Sequence, residues 1–138
     1  MLELAIIMPL LLALTVGIIE IGRLAYYSFE VSDAARAGAQ FGTQTLGDAE
    51  SDANVRQAAQ NNAQDMPGLA VSRQLSCVCP GTGAVTGRDC GSQITGCSYP
   101  LVYLTVTTSY PLSPLFHYPG IPDTFNLTGA STMPVQRQ

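Results

Sequence analysis

Apolar side chains fill positions 4–19 almost without a gap, and charged residues bracket the run: Glu3 before it, Glu20 and Arg23 after it. As a helix, positions 4–27 would reach about 36 Å at ~1.5 Å per residue, against a hydrocarbon core of ~30 Å, so the segment is long enough to span a bilayer. Charges held in lipid cost several kcal/mol, and ionisable groups around one span therefore ask for partners that lipid lacks. This favours a helix that leaves the bilayer and packs on copies of itself. A secretory signal peptide would carry a basic stretch ahead of the apolar run and a small-x-small cleavage site behind it, and neither is present. The missing basic flank points to a positively charged leader cut away ahead of Met1, so that the numbering describes a mature chain.

Helical periodicity continues beyond the apolar run through Phe29, Ala34, Ala35, Gly38, Ala39, Phe41 and Gly42, and an N-terminal helical segment over 1–43 is expected. Ala34, Gly38 and Gly42 recur every four residues and strip one helix face of bulk, so that another backbone can approach closely. Either a second subunit or the chain's own head can fill that face. After a break at 43–47, Asp48 is placed to cap a second helix over about 48–65 with Val55, Ala59, Ala63 and Met66 on one side. Pro67 and Gly68 end helical structure.

From Leu69 the period drops to two. Leu69, Val71, Leu75, Cys77 and Cys79 share one face, interrupted by Arg73, while Ser72, Gln74 and Ser76 take the other. Val102, Leu104 and Val106 alternate with Tyr103, Thr105 and Thr107 in a second strand, and Phe125, Leu127, Met133 and Val135 mark a third around Gly129. Strands in succession without intervening helices favour an antiparallel meander, with a helix covering one face. The segment YPLSPLFHYPGIPD carries Pro111, Pro114, Pro119 and Pro122 and reads as a long surface loop that no ladder crosses. Its Leu115, Phe116, His117 and Tyr118 either form an exposed adhesive tip or fold back on their own sheet. The fold class is thus α+β: a long N-terminal helix, then a head over 44–138 with a second short helix and a three- to four-stranded antiparallel sheet over about 69–135.

With 138 residues and the N-terminal helix set aside, only a small domain remains. Charged residues make up 12% of the chain, lysine is absent and the net charge is -4, which argues against nucleic acid as a partner. Cys77, Cys79, Cys90 and Cys97 crowd a Gly/Ser/Thr-rich stretch, and an even count there in an exported domain reads as two disulfides. Nested bridges from Cys77 to Cys97 and from Cys79 to Cys90 would staple a hairpin; spacing leaves the other two pairings open. A zinc site is the weaker reading, because C-x-C followed by a ten-residue gap does not make paired knuckles. His117 is the only histidine and no Gly-rich phosphate loop follows a strand, so neither an enzyme nor a cofactor site is expected.

The run ELAIIMPLLLALTVGIIEIGRLAYY followed by DAARAGA resembles the N-terminal signature of TadE-like pseudopilins of the tight-adherence pilus system. VYLTVTTSYPLSPLF, the proline-broken loop and the closing strand ending STMPV are similar to the C-terminal half of that family. The resemblance implies a pilin-like subunit that is inserted in the bacterial inner membrane, trimmed by a prepilin peptidase and extracted into an extracellular pilus with other Tad proteins, without enzymatic activity. It also implies that Glu3 neutralises the terminal amine of a neighbouring subunit. Major type IV pilins place that acid at the fifth mature position, a departure that puts the pairing geometry or the true N-terminus in question.

Glu20 and Arg23 lie three apart on one helix face. They either pair within the helix or exchange partners between subunits and so fix the axial stagger. Pro9 removes a backbone donor inside the apolar helix and is expected to kink or soften it. The candidate assembly contacts are accordingly Glu3, Pro9, Glu20, Arg23, Ala34, Gly38 and Gly42. The leading function is a structural subunit of a homopolymeric filament serving adhesion or secretion; the alternative is a minor or monomeric membrane-anchored component of the pilus machine.

Overall fold

The apolar run and the small-residue run that follows it merge into one helix, α1 (Leu2–Gly42). Its 41 residues extend for about 62 Å at ~1.5 Å per residue. A computed structural model of the chain describes residues 2–79, 85–86, 101–116, 120 and 122–136. Beyond α1 these form α2 (Leu46–Glu50), α3 (Asp52–Asn62), β1 (Ala70–Val78), β2 (Val85–Thr86), β3 (Leu101–Leu112) and β4 (Phe125–Pro134). Pro9 sits inside α1 without ending it, the donor it removes being only one of the helix's ladder bonds.

Where the sequence pattern predicts one helix over about 48–65, the chain makes two, with Ser51 between them. The cause is local capping. Thr45, not Asp48, caps α2: its hydroxyl oxygen accepts from the Asp48 backbone N–H at 3.1 Å and donates to the Asp48 carboxylate at 2.7 Å. Ser51 in turn closes α2 with extended backbone and opens α3, its side chain accepting from the Asn54 N–H. A hydroxyl residue that caps well competes with helix continuation. Val55 and Ala59 are buried from α3, while Ala63 and Met66 are buried just past its end.

The sheet is antiparallel throughout, in the order β2-β1-β3-β4. Its three long strands follow chain order in space, and the two-residue β2 pairs on the outer side of β1. Val71, Leu75, Cys77, Val102, Leu104, Val106 and Thr108 point inward, and α1 and α3 cover that face. Val31, Ala34 and Ala39 from α1 meet Val55 and Ala59 from α3 and the inner face of the sheet in one core. β3 also runs further than the proline spacing predicts, through Pro111 to Leu112. Pairing with β1 ends at Ala70↔Ser109, whereas pairing with β4 continues through Pro111↔Asn126 and Leu112↔Phe125. From Tyr110 onward β3 therefore has a ladder neighbour on one side only, and an edge is where proline is tolerated.

Candidate assembly surface on the N-terminal helix

The two halves of α1 differ in what they touch. From Leu4 to Ile21 its large apolar side chains stand exposed, Ile6 at 71% and Ile21 at 70%. From Val31 onward Val31, Ala34, Ala35 and Ala39 are fully buried by the head. The helix is long and apolar enough to cross a membrane, with a mean hydropathy of 1.9 over its best window and none of that window buried. A surface of this size and composition has no place in water and marks contact with lipid or with other protein.

Between the two halves, Glu20 and Arg23 hold the loop that follows β3. Arg23 Nη2 donates to the Ser113 carbonyl oxygen at 2.6 Å, and the Leu115 backbone N–H donates to Glu20 Oε1 at 3.2 Å. The two side chains also pair with each other at 3.9 Å, each 24% exposed. The intrahelical reading of this pair is therefore the arrangement within one chain, extended by two bonds to the loop. Two atoms are left over: Glu20 Oε2 and Arg23 Nη1 are buried without a hydrogen-bond partner among the described residues. The Arg23 guanidinium lies 5.9 Å from the centre of the Tyr27 ring, and Tyr27 stacks on Tyr110 of β3. Beside this latch, Ala13, Gly17, Ile21 and Leu24 of α1 line an apolar groove of about 420 Å³ together with Glu20, Pro114 and Phe125.

The small-residue stripe is used by the chain itself. A Cβ on Gly38 would come within 3.2 Å of Ala59 Cβ and 3.3 Å of Val106 Cγ1. One on Gly42 would overlap Leu104 Cδ2 and lie 3.0 Å from Val55 Cγ2. Ala34 is fully buried in the same core. Of the two readings of this face, packing against the head is the one seen. By contrast, Gly17 and Gly22 have nothing within 4 Å of an added Cβ; Gly17 lines the groove and Gly22 is exposed. The repeat of small residues could not separate these cases, because spacing does not say which side of a helix the head will cover.

Glu3 lies in α1, but its side chain is outside the described residues, as are Cys90, Cys97, His117 and Tyr118. Cys77 and Cys79 are buried on the inner face of β1 and its extension. Two residues with structural roles went unread in the sequence. Arg73, which interrupts the apolar face of β1, donates from Nη1 to the Ala49 carbonyl oxygen at 3.0 Å and lies 3.7 Å from the Asp52 carboxylate. It thereby ties the α2–α3 junction to the sheet. Thr108 continues the inward phase of β3 and is fully buried, its hydroxyl donating to the Val31 carbonyl oxygen of α1 at 2.7 Å. The signal was available in the phase: Thr108 lies two residues beyond Val106.

Together these features define an α+β protein built on a single long apolar helix, half spine of a small head and half free surface. Residues 1–40 match the family model described as TadE-like protein, a likeness that covers the N-terminal helix. No curated protein and no solved structure matches the chain.

Proposed function

We propose that this chain is a pilin-like structural subunit of a tight-adherence pilus system, which inserts in the inner membrane through α1 and then assembles through that helix into a homopolymeric extracellular filament. The observation that carries this reading is the division of α1 into a buried spine and an exposed apolar half continuous with it. One rigid helix then serves both as membrane span and as filament core, since the same surface satisfies lipid and a neighbouring helix. The exposed Gly22 favours close approach by a neighbour in that half. Glu3 and Pro9 remain proposed assembly contacts, whereas Ala34, Gly38 and Gly42 serve the head. The TadE-like match supports other Tad proteins as partners, with a prepilin peptidase acting before assembly. That neither Cys77 nor Cys79 is a free thiol supports the two bridges, with Cys97 and Cys90 the proposed partners.

A second reading, a minor or anchored component of the pilus machine, is favoured by the latch. Glu20 and Arg23 find partners on Ser113 and Leu115 of their own chain, which lessens their need for a neighbouring subunit. Electron microscopy of the protein sheared from cells, with its bands identified by mass spectrometry, separates the two. Fibres composed mainly of this chain establish a filament subunit; retention in detergent-solubilised membrane with no chain in fibres establishes the anchored component.

A further inference from the structure

We propose that the loop after β3 is a membrane wedge: Leu115 and Phe116 enter the lipid boundary beside the helix that spans the same bilayer. The inference rests on the membrane-anchor reading of α1 and adds a second lipid contact, made by the head. Three observations carry it.

The first is height along the helix. Arg23 and Glu20 fasten the backbone of Ser113 and Leu115 to the level where the apolar run of α1 ends. Pro114 lines the same groove as Ala13 and Gly17 of the apolar run. Ala13 lies seven residues before Glu20, which is about 10 Å along a helix axis. Any bilayer that covers the apolar run up to Ile19 therefore meets this loop.

The second is what the loop presents there. Leu115 is 57% exposed and Phe116 50%, adjacent on a tip whose segment from Leu112 to Phe116 contains no ionisable group. Leu112 and Pro114 are buried against the protein, so the alternation of the segment turns Leu115 outward while its neighbours anchor it. Apolar tips of this kind gain by moving from water into the acyl boundary, to a depth of ~5–10 Å.

The third is the setting. Tyr26 is exposed on α1 just above the latch, at 51%. Amphipathic aromatic rings collect where headgroups meet water. The apolar tip and an exposed tyrosine thus lie within two helical turns of the end of the apolar run. Lipid is favoured over a second copy of the chain as the occupant because the tip lies beside the span, continuous with the surface that lipid already covers.

The chain has no tryptophan, so a single introduced indole reports its own surroundings. Full-length Leu115→Trp is reconstituted in phosphatidylcholine vesicles, with Leu11→Trp in the span and Gln57→Trp on α3 as references. The expected result is a blue-shifted emission for Leu115→Trp that is quenched by lipids brominated near the top of the acyl chain, while Gln57→Trp is quenched only by aqueous iodide. If Leu11→Trp is quenched by brominated lipid and Leu115→Trp behaves like Gln57→Trp, the wedge is overturned and the anchor stands. If neither Leu11→Trp nor Leu115→Trp responds to brominated lipid, the anchor reading itself fails. A blue-shifted Leu115→Trp that brominated lipid does not quench shows that protein, not lipid, covers the tip and also overturns the proposal. Phe116→Trp repeats the test, so that a perturbation specific to one substitution is recognised.

Discussion

Thr108 and Gly129 face each other across β3 and β4, and together they set a close approach between the sheet and α1. A Cβ on Gly129 would lie 2.8 Å from both the Cα of Ser32 and the carbonyl oxygen of Val31. The Thr108 hydroxyl donates to that same Val31 oxygen. The helix rests on the sheet backbone here because one position has no side chain and its partner supplies the hydrogen bond that a buried hydroxyl requires.

Gly129→Ala therefore destabilises the head, because the atoms in the way are helix backbone and cannot turn aside. Overpacking of this kind costs ~1–3 kcal/mol. In a head of this size each kcal/mol lowers the melting temperature by ~4–8 °C. Gly22→Ala, with open space around its Cβ, should leave the transition of the head unchanged. Calorimetry of the two variants in the same detergent gives the comparison, and equal melting temperatures would refute the close contact.

Arg73→Met keeps an apolar stem on the inner face of β1 but removes the bond to Ala49 and the pairing with Asp52. Hydrogen bonds to charged groups contribute ~1.5–3 kcal/mol, less where solvent reaches the pair. The head should lose about 1–2 kcal/mol on that basis. The loss should be local, appearing in hydrogen exchange as faster amides at Ala49, Ser51 and Val55. Asp52→Asn should cost less, because Asp52 is half exposed and its partner Arg56 sits on the surface. Uniform loss of protection across the sheet would mean that Arg73 does not act through the junction.

What the sequence made legible follows from which signals are local. Period-two alternation located β1, β3 and β4, and the inward phase it assigned to Val71, Leu75, Val102, Leu104 and Val106 is the phase observed. The apolar run likewise marked the exposed half of α1. Ser51 was missed because a single hydroxyl both ends one helix and starts the next, and periodicity averages over such a position. Pro111 was misread because whether a proline breaks a strand depends on whether a neighbouring strand needs its N–H, which is settled by where β1 stops. Arg73 reads as an interruption until the α2 carbonyl it meets is known. The partners of Glu20 and Arg23 lie 95 and 90 positions away on a loop, and no spacing rule reaches that far.

The proposed bridges of Cys77 and Cys79 to Cys97 and Cys90 should make the head sensitive to reductant. Closing loops of this size stabilises by ~2–4 kcal/mol per bridge, a large share of what a small domain has. Reduction should lower the melting temperature, and non-reducing peptide mapping should recover Cys77 with Cys97 and Cys79 with Cys90. Melting unchanged by reductant would argue against both bridges, whereas a different pairing in the map would overturn only the connectivity.

The latch makes a prediction that separates its two members. Glu20→Gln keeps an oxygen to accept from the Leu115 N–H and gives up only the charge, so the loop should stay in place. Arg23→Gln loses the bond to Ser113 and leaves the Glu20 carboxylate partly buried with no cation beside it, which is the costlier change. Hydrogen exchange at Leu115 should thus accelerate in Arg23→Gln and change little in Glu20→Gln. The double variant should fall between them, because removing the arginine no longer strands a charge. The same three variants test register between subunits when fibres are imaged. If Glu20 and Arg23 pair across subunits, Glu20→Gln alone loses fibres and adding Arg23→Gln partly restores them. If the pair serves only its own loop, Glu20→Gln assembles as the parent does, and the atoms that the single chain leaves unsatisfied, Glu20 Oε2 and Arg23 Nη1, play no part in the stagger.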